Sequence, residues 1–587
     1  MAAYWAMVHE LWTAIPSKFG TPLDFLSTPT IAPYASALIS ARGSNPDILR
    51  ACQGAALCEA KAAVILSLTR GSKLEACCQS HPWMNFVQFQ SPTKRDGFLA
   101  TNSLLAFAVL ILRAYCRALG GDCTLPVALP EAEMGEIVEE SPPSTYSLLY
   151  ASWGMVAARD IESKLVESGL ASVHFTDVRN FAHGRHYWLT RHSSSTSVIT
   201  LESPAWERLF ERTLALLPPC VPVIRIRAAH DGPLGALELL TSGFRVVGRL
   251  AALRGIDPGR PSVPQFGRRL YHMPVPLPKQ ATGPLSSDLV LRRKFGDAFH
   301  NWPEGTRRLF ITALKKYLQT LRGTSFGAVV FDYDETLCPS ASRFGRLPNE
   351  ILSALLNVMD NGIAIGIASG RGRSVWHSLR GSLPESVWGQ VVVGYYNGGL
   401  VLGLNEDEPP CEAAVAPALI RVHEILKGSP QVALFGEMTV RPWQITLAPH
   451  PNIPLSALHE IVLELLAVSD TSGASALRSS HSVDVVPVGT SKLKVVDACS
   501  NRLASGGRSA AVLCIADSGK WFGNDLHLLS GPLSLSVNEC PITASGAWNL
   551  APRGSRGPQA TLAYIQAMRF EHDSFRIDVD RLVGSAE

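Results

Sequence analysis

The stretch AVVFDYDETLC (328–338) decides the fold of the C-terminal half of this chain. Its apolar and β-branched residues predict a buried strand, with Asp332 and Asp334 where that strand ends. Residues two apart on a strand face the same side, and α/β sheets bind ligands at the carboxyl ends of their strands. Two carboxylates placed there repel each other and favour a cation. A strand that simply ends in a polar loop is the alternative, because DxDxT matches often arise by chance.

Two later segments supply groups that suit a phosphate. The segment IAIGIASGRGR (363–373) predicts another buried strand, followed by a glycine-rich turn at Ser369 and Gly370 that could hydrogen-bond a phosphoryl oxygen. In GTSKLK (489–494), Lys492 precedes a helix, where its charge could neutralise phosphate. Both segments therefore strengthen the reading of Asp332 as part of a site.

A fourth segment adds carboxylates. The segment AVLCIADSGKWFGNDLHLL (511–529) predicts a strand with Asp517 at its end, and Asn524 and Asp525 follow. Carboxylate oxygens are the hard ligands that Mg²⁺ prefers. The sequence therefore predicts a magnesium site.

Four such elements in this order resemble the motifs of the haloacid dehalogenase superfamily, over residues 325–550. The resemblance implies phosphate ester hydrolysis with Mg²⁺ as cofactor, Asp332 as the nucleophile that forms an aspartyl-phosphate, and Asp334 as general acid and base. The implied phosphate-binding residues are Thr336, Ser369, Gly370, Lys492 and Asn524, and the implied metal ligands are Asp332, Asp334, Asp517 and Asp525.

The chain departs from this family pattern at two places. Glu335 stands where the family commonly has glycine, after the second aspartate. The insert SGKWFG (518–523) also stretches the last motif, whose acids are usually closer together. This spacing leaves open which of Asp517 and Asp525 contacts the ion directly.

The segment between Ser369 and Lys492 is far longer than a βα crossover requires. It predicts strands at 394–402, 439–451 and 482–489 and a helix at 455–468. We expect a cap over residues 400–488, which resembles the α/β cap of the Cof-type and sucrose-phosphatase-like branch. That resemblance implies a small phosphorylated metabolite, often a sugar, as substrate. Asn397 matches an NG step of this branch, although a structural turn is an equal alternative.

The front of the chain has a different character. ALISARGSNPDIL (37–49) predicts a strand, a polar turn and a helix, and backbone N–H groups at such a turn can hold phosphate. The alternative is an ordinary turn that only connects the strand to the helix. With AAVILSLTRGSKLEA (62–76) and SPTKRDGFLATNSLLAFAVLIL (91–112), the segment resembles the SIS (sugar isomerase) domain. The residues that this resemblance implies for a phosphosugar are Ser40, Ser44, Asn45 and Thr93, and Arg42 could add a bidentate contact.

A second such unit begins near residue 146. DIESKLVESGLASVHFTDVRNFAHG (160–184) resembles the isomerase half of glucosamine-6-phosphate synthase. Asp160, Lys164 and Glu167 fall on one face of a predicted helix. The resemblance implies that Lys164, Glu167 and His183 contact the sugar, Glu167 moving a proton and His183 helping to open the ring. A surface helix with an ion pair is the alternative.

The first SIS-like unit lacks the opening strand and phosphate loop of that domain. Either the start codon is assigned too late, or the unit is a degraded scaffold. We therefore expect the front half to bind a phosphosugar without efficient turnover, and SIS domains also suggest a homodimer.

The amino-acid composition limits the classes of binding partner that we expect. The chain has 53 basic and 50 acidic residues, a net charge of +3, which gives no electrostatic case for nucleic acid or an anionic membrane. Its twelve cysteines form no CxxC pair, and reduced thiols are expected. The N-terminus is not a signal peptide and no apolar run is long enough to span a membrane, so we expect a cytoplasmic protein.

The predicted fold class is α/β, with Rossmann-like parallel sheets. The predicted divisions are SIS-like units at 1–125 and 126–285, a linker and helix at 286–324, a phosphatase core at 325–399 and 489–550, the cap at 400–488 and a tail at 551–587. We expect a Mg²⁺-dependent phosphohydrolase that acts on a sugar phosphate. The alternatives are a bifunctional isomerase and phosphatase, or a phosphatase gated by a sensor module.

Overall fold

A computed structural model describes residues 1–28, 34–91, 96–118, 131–135, 142–277, 285–410, 412–469, 471, 473–507 and 511–583. The described strands form four sheets, and helices pack against them in a mixed α/β architecture, as the sequence predicts. A bilayer-spanning helix is absent from these ranges, because none of their helices combines sufficient length with sufficient apolarity.

The first sheet has three parallel strands in the order β1-β2-β3. Asn45 caps the helix after β1 by accepting hydrogen bonds from the backbone N–H groups of Asp47 and Ile48. The elements of this region are α1 (Ala2–Thr13), α2 (Pro22–Leu26), β1 (Ala35–Ser40), α3 (Pro46–Leu57), β2 (Ala62–Ser67), α4 (Lys73–Gln79), β3 (Met84–Gln88) and α5 (Asn102–Ala118).

The second sheet has the order β4-β8-β7-β5-β6, in which β5 to β8 are parallel and β4 is antiparallel. Its elements are β4 (Glu133–Met134), β5 (Thr145–Tyr150), α6 (Gly154–Glu167), β6 (Ser172–Asp177), α7 (Val178–Asn180), α8 (Tyr187–His192), β7 (Thr196–Glu202), α9 (Glu207–Leu214), β8 (Val223–Arg227), α10 (Gly232–Leu253) and α11 (Gln265–Tyr271).

The third sheet carries the candidate site. Two helices lead into it, and its first strands and helices follow. These elements are α12 (Ser287–Phe295), α13 (Glu304–Gly323), β9 (Phe326–Asp332), α14 (Asn349–Asp360), β10 (Ala364–Ala368), α15 (Arg373–Ser382), α16 (Glu385–Trp388), β11 (Val391–Tyr395) and β12 (Leu400–Gly403).

The fourth sheet is antiparallel, with the order β13-β14-β16-β15. It lies in the predicted cap segment, and burial alternates along β13, as in a sheet with one solvated face. Its elements are α17 (Pro417–Gly428), α18 (Pro430–Phe435), β13 (Gly436–Arg441), β14 (Gln444–Pro449), α19 (Leu455–Val468), β15 (Ala474–Arg478) and β16 (Val483–Pro487).

The chain then returns to the third sheet, whose order is β12-β11-β10-β9-β17-β18. The remaining elements are α20 (Leu493–Ser505), β17 (Ala511–Ser518), α21 (Leu526–Leu529), β18 (Ser534–Glu539), α22 (Pro558–Gln566), β19 (Met568–Glu571), β20 (Ser574–Ile577) and α23 (Val579–Val583). Residues 558–583 thus lie within the segment that sequence analysis left as a tail, and β20 pairs with β9.

Every residue of β9 is buried, as expected of a central parallel strand covered on both faces. Ala328 and Val330 face the apolar cluster that contains Val495 of α20. Val329 and Phe331 face the opposite cluster, to which α14 and α22 contribute. Packing on both faces therefore fixes where β9 ends and where Asp332 lies.

One expectation about the cysteines is wrong. Cys116 is disulfide-bonded, whereas nine other described cysteines are free. Cysteine spacing alone did not indicate this bond.

A buried ion pair joins the front of the chain to its end. The Arg293 guanidinium donates to both carboxylate oxygens of Glu59, at 3.0 and 2.5 Å, and to the carbonyl oxygen of Ala551 at 2.7 Å. Burial alone would raise the pKa of Glu59, but the charge and hydrogen bonds of Arg293, with the Gly554 N–H and the Arg556 charge, together outweigh burial and lower that pKa. The charges are thus satisfied only while α3, α12 and the residues after β18 stay together.

Replacing Arg293 with Met should destabilise the whole chain strongly. It leaves the Glu59 carboxylate buried without its counter-charge, which costs roughly 3–5 kcal/mol. Urea unfolding followed by circular dichroism measures the effect. The matched control is Arg308→Met, which breaks an exposed ion pair with Glu304 and should leave the midpoint close to wild type. Equal midpoints for the two variants would contradict the prediction.

Candidate active site

The site forms at the carboxyl edge of the third sheet. Asp332 is the last residue of β9, and Asp517 lies near the end of the adjacent parallel strand β17. Lys492 stands at the N-terminus of α20, which packs across β9 and β10. Because parallel strands end at the same edge, side chains far apart in sequence converge there.

A buried lysine links two of the predicted carboxylates. Lys492 Nζ lies 2.6 Å from Asp332 Oδ1 and 2.5 Å from Asp525 Oδ1. All three side chains are almost fully buried. Burial by itself lowers the pKa of Lys492, but the two carboxylates outweigh burial and raise it. The ammonium therefore stays charged and anchors the nucleophile candidate.

Three carboxylates share this small buried space. Asp332, Asp517 and Asp525 each offer an oxygen atom within 4.8 Å of the others. Burial, followed by repulsion from Asp525, raises the pKa values of both Asp332 and Asp517. One ammonium cannot balance three carboxylates, so the donor set fits a bound divalent cation with oxygen ligands. The stretched spacing of the last motif does not separate Asp517 from Asp525, because Asp525 Oδ2 accepts a hydrogen bond from the Ser518 N–H at 3.2 Å.

Asp334 lies on the wall of the site rather than in this cluster. Its Oδ1 is 3.3 Å from Arg371 Nη1, and its side chain is a quarter exposed. Arg371 is held in turn by the Arg343 carbonyl at 2.6 Å and by Ser374 Oγ at 3.1 Å. The described residues that gather for a metal do not include Asp334, which instead faces the space where a leaving group would stand.

The predicted phosphate ligands divide into two sets. Gly370 and Asn524 line the cavity beside Asp332. Thr336 and Ser369 are fully buried outside its lining. Ser369 Oγ accepts a hydrogen bond from the Arg371 N–H at 3.0 Å and so shapes the turn, while the Thr336 hydroxyl has no hydrogen-bond partner among the residues that the structure describes.

A cavity of about 470 Å³ lies between the third and fourth sheets. Its floor carries Asp332, Asp334 and Asp517. Its other side comes from β13, β14 and the turn between β15 and β16. The lining residues from this cap side are Arg441, Pro442, Gln444, Thr446, Ala448, Ser479, Ser480, His481, Ser482 and Asp484.

A hydrogen-bonded network crosses from the core to this cap side. Asn397 Nδ2 donates to Gln444 Oε1 at 3.0 Å and to Asp484 Oδ2 at 3.4 Å, while Gln444 Nε2 donates to the Gly370 carbonyl at 3.2 Å. Asn397 has a left-handed φ of 57°, so this residue shapes the backbone turn in addition to making these hydrogen bonds. Burial raises the pKa of Asp484 to about 6.

Sequence reasoning missed Gln444, Asp484 and Arg371. A signal did exist for the first two, because each is a polar residue in a largely apolar strand segment, QITLAP and VDVVP. Such residues are usually hydrogen-bonded when buried. Nothing in the local sequence indicated that their partners would be Asn397 and Gly370.

The candidates at the first front turn have local structural roles. Ser40 Oγ accepts from the Gly43 N–H, Asn45 caps α3, and Arg42 donates to the Asp96 carbonyl at 2.8 Å. Ser44 is exposed. Thr93 lies outside the described residues. Their placement supports an ordinary turn between a strand and a helix at least as well as it supports a phosphate-binding loop.

The candidate residues of the second SIS-like unit, Lys164, Glu167 and His183, do not share one site within the chain. Glu167 is the last residue of the 14-residue helix α6, which starts at the carboxyl edge of the second sheet. A helix of this length spans about 20 Å, so Glu167 lies towards the opposite edge, while His183 follows β6 at the carboxyl edge. Lys164 is buried in an ion pair with Asp160. Within one chain, Glu167 and His183 therefore lie towards opposite edges of the second sheet, because SVHFTD forms a strand between the two residues.

Comparison with known proteins gives partial matches. No family model and no curated protein match the chain. Among solved structures, the glucosamine-6-phosphate deaminase of Thermotoga maritima matches at 12% identity over 45% of this chain and 86% of that chain, with a TM-score of 0.34. The C-terminal domain of a C. albicans trehalose-6-phosphate phosphatase matches at 15% identity over 42% and 93%, with a TM-score of 0.30.

A third match is the sucrose-phosphatase of Synechocystis, solved with sucrose and phosphate. It is 15% identical over 36% of this chain and 82% of that chain, with a TM-score of 0.26. Solved structures of both predicted kinds, sugar phosphatases and a sugar-phosphate enzyme of another class, are thus among the matches. At these TM-scores the likeness carries no argument about function, which rests on the geometry of the site.

The buried Asp484 carboxyl should make stability depend on pH. Its folded-state pKa of about 6 exceeds the ordinary value of 3.8, so the native state keeps a proton that the unfolded state releases. Stability is therefore lost as pH rises from about 4 to 6, by roughly 2–3 kcal/mol in total. Asp484→Asn cannot ionise and should become more stable relative to wild type across that window.

Melting temperatures of both proteins at pH 4.5 and 7.5 measure this difference. The exposed Asp407→Asn in the same cap segment reports the effect of the exchange at the surface. A constant difference between Asp484→Asn and wild type at both pH values would show that Asp484 does not titrate as stated.

Proposed function

We propose that the chain is a phosphohydrolase that cleaves the phosphomonoester of a small polar metabolite, most simply a sugar phosphate. One observation carries this proposal. Asp332 stands at the floor of a cavity, held by Lys492 from beneath and flanked by Asp517 and Asp525, with Asp334 on the adjacent wall. This arrangement supports nucleophilic attack on phosphorus with proton transfer from a second carboxyl group.

Asp332 is the proposed nucleophile because it combines burial with an opening to the cavity. Lys492 holds Oδ1, which leaves Oδ2 to attack a phosphoryl group in line with its leaving oxygen. Asp334 in its protonated form gives a proton to that oxygen as the ester bond breaks. The products of this half-reaction are the alcohol and an aspartyl-phosphate on Asp332.

Water then completes the reaction. Asp334, now ionised, accepts a proton from a water molecule as that water attacks phosphorus, and the bond to Asp332 breaks. Inorganic phosphate leaves and both carboxyl groups return to their initial states. Arg371, 3.3 Å from Asp334, keeps this carboxyl turned towards the cavity in both steps.

Asp332, Asp517 and Asp525 would hold Mg²⁺, and the ion when bound would neutralise phosphoryl charge and carboxylate repulsion. The fit rests on their three buried oxygen donors, which share one ammonium, that of Lys492, within the described part of the chain. Asn524 and Gly370 would then meet the phosphoryl oxygens from the cavity side.

The cap side supports a polyhydroxylated leaving group. Its hydroxyl, amide and carboxylate groups, from Gln444, Thr446, Ser480 and Asp484, match the hydrogen-bonding of sugar hydroxyls. The volume of about 470 Å³ suits a mono- or disaccharide phosphate rather than a macromolecule. The bifunctional alternative gains no support, because Glu167 and His183 lie apart.

Replacing Asp332 with Asn should abolish phosphate release, with a loss of roughly 1,000-fold or more, because the amide cannot attack phosphorus. Initial rates of phosphate release across a panel of sugar phosphates measure the effect. Asp360→Asn, an exposed exchange on α14, is the matched control and should keep the wild-type rate. An Asp332→Asn enzyme that retains more than a few per cent of the rate would sink the covalent mechanism.

Mg²⁺ should bind the native protein and raise its melting temperature, because a ligand of the folded state stabilises it by mass action. Chelation should remove both that shift and the activity, and Asp517→Asn should reduce the shift by removing one oxygen donor. Differential scanning fluorimetry over a magnesium series gives a readout that does not depend on turnover. An unchanged melting temperature in wild type at millimolar Mg²⁺ would exclude the assigned metal site.

A further inference from the structure

Two departures from the family pattern meet the same part of the cap. The first is Glu335, and the second is the insert at 518–523. The insert contacts residues 478–482 directly, and Glu335 reaches them through Ser340. Residues 478–482 end β15 and form the turn into β16. We call the contacts of Glu335, Ser340 and the insert with this turn the clamp.

The first half of the clamp starts at Glu335. Its φ of 60° is left-handed, a region that favours the glycine commonly found there. This backbone brings the Glu335 carboxylate to the Ser340 backbone N–H, at 2.8 Å, and to the Ser340 hydroxyl. Ser340 Oγ also lies 2.8 Å from His481 Nε2 in the cap turn.

The directions of these hydrogen bonds follow from the available protons. The Ser340 hydroxyl has one proton, and the Glu335 carboxylate can only accept it. Ser340 Oγ must therefore accept from His481, which fixes the proton on Nε2. The result is a directed chain, His481 to Ser340 to Glu335, from the cap to the residue after Asp334.

The second half of the clamp uses the insert. The Arg478 N–H donates to the Phe522 carbonyl at 2.7 Å, and the Asn524 N–H donates to the Arg478 carbonyl at 3.3 Å. The Phe522 ring also packs edge-on against His459 of α19, with centroids 4.8 Å apart. The insert thus attaches the cap to the loop that carries Asn524 and Asp525.

Both attachments lie at the cavity. Arg343 and Phe344 line it from the core side, next to Ser340, and Ser479 to Ser482 line it from the cap side. Asp517 and Asn524 line it beside the insert. Holding the turn at 478–482 against both core loops therefore closes this side of the cavity over Asp334.

We propose that the clamp is a positioning device that holds the cap turn at 478–482 closed over the reacting groups, with His481, Ser340, Glu335 and Phe522 as its positioning residues. This proposal rests on the proposed function for its kinetic consequences, although the closure itself does not require it. The clamp contacts do not involve the Asp332 to Lys492 pair, although Ser518 of the insert also donates to Asp525 of the carboxylate cluster. Loss of the clamp should loosen substrate binding while the chemical step continues.

The test combines kinetics with hydrogen–deuterium exchange. His481→Ala and Ser340→Ala should each raise KM for p-nitrophenyl phosphate about 3- to 10-fold, with kcat changed less than 3-fold. Each should also speed amide exchange at residues 478–482. The double variant should be no worse than either single variant, because both remove the same contact. His481→Gln keeps an N–H donor of similar reach and should restore most of the wild-type KM.

Matched controls separate the clamp from general damage. His450→Ala changes another cap histidine that lies outside the cavity lining and should leave KM and exchange unaltered. Phe522→Ala should raise exchange at 478–482, whereas Trp521→Ala, at an exposed neighbouring ring, should not.

Additive effects of Ser340→Ala and His481→Ala, or unchanged exchange at 478–482 in both, would overturn the clamp. If the wild-type protein hydrolyses none of the phosphate esters tested, the proposed function is overturned instead. The exchange measurements would then still show whether the clamp holds residues 478–482.

Discussion

The burial of three carboxylates around one ammonium is the interaction on which the candidate site at the edge of the third sheet depends. Asp332, Asp517 and Asp525 converge because β9 and β17 are adjacent parallel strands, and Lys492 enters from the start of α20. A buried charge without a partner costs several kcal/mol, so the fold tolerates these groups only as a set with cations. Asp332 faces the cavity because it is the last residue of β9, at the edge of the sheet where that cavity opens.

The sequence predicted this arrangement well where long apolar runs end in charged residues. β9, β10 and β17 all follow from such runs, and so does the edge at which their polar residues meet. The pairing of strands that are far apart in the sequence could not be predicted from local patterns. The pairing of β20 with β9 depends on Phe575 meeting Phe326, and no local pattern near either residue specifies the other.

The front half shows how a matching string of residues can mislead. Asp160, Lys164 and Glu167 have helical spacing, and they do lie on one helix. Whether they form a site depends on what faces that helix. Lys164 turns inward, towards the ring of Phe244, and Glu167 stays at the exposed end. Spacing predicts which residues share a helix face, but the packing of α10 against α6 decides what that face meets.

Glu335 and the insert at 518–523 are informative for the opposite reason. Glu335 accepts a left-handed backbone that costs an ordinary residue roughly 1–2 kcal/mol, and the insert lengthens a loop beside the carboxylate cluster. The insert does not separate Asp517 from Asp525, because the Ser518 N–H donates to Asp525. The insert hydrogen-bonds the cap turn directly, and Glu335 reaches that turn through Ser340. Local strain that other contacts offset in this way indicates a constraint at a functional site rather than decay of the motif.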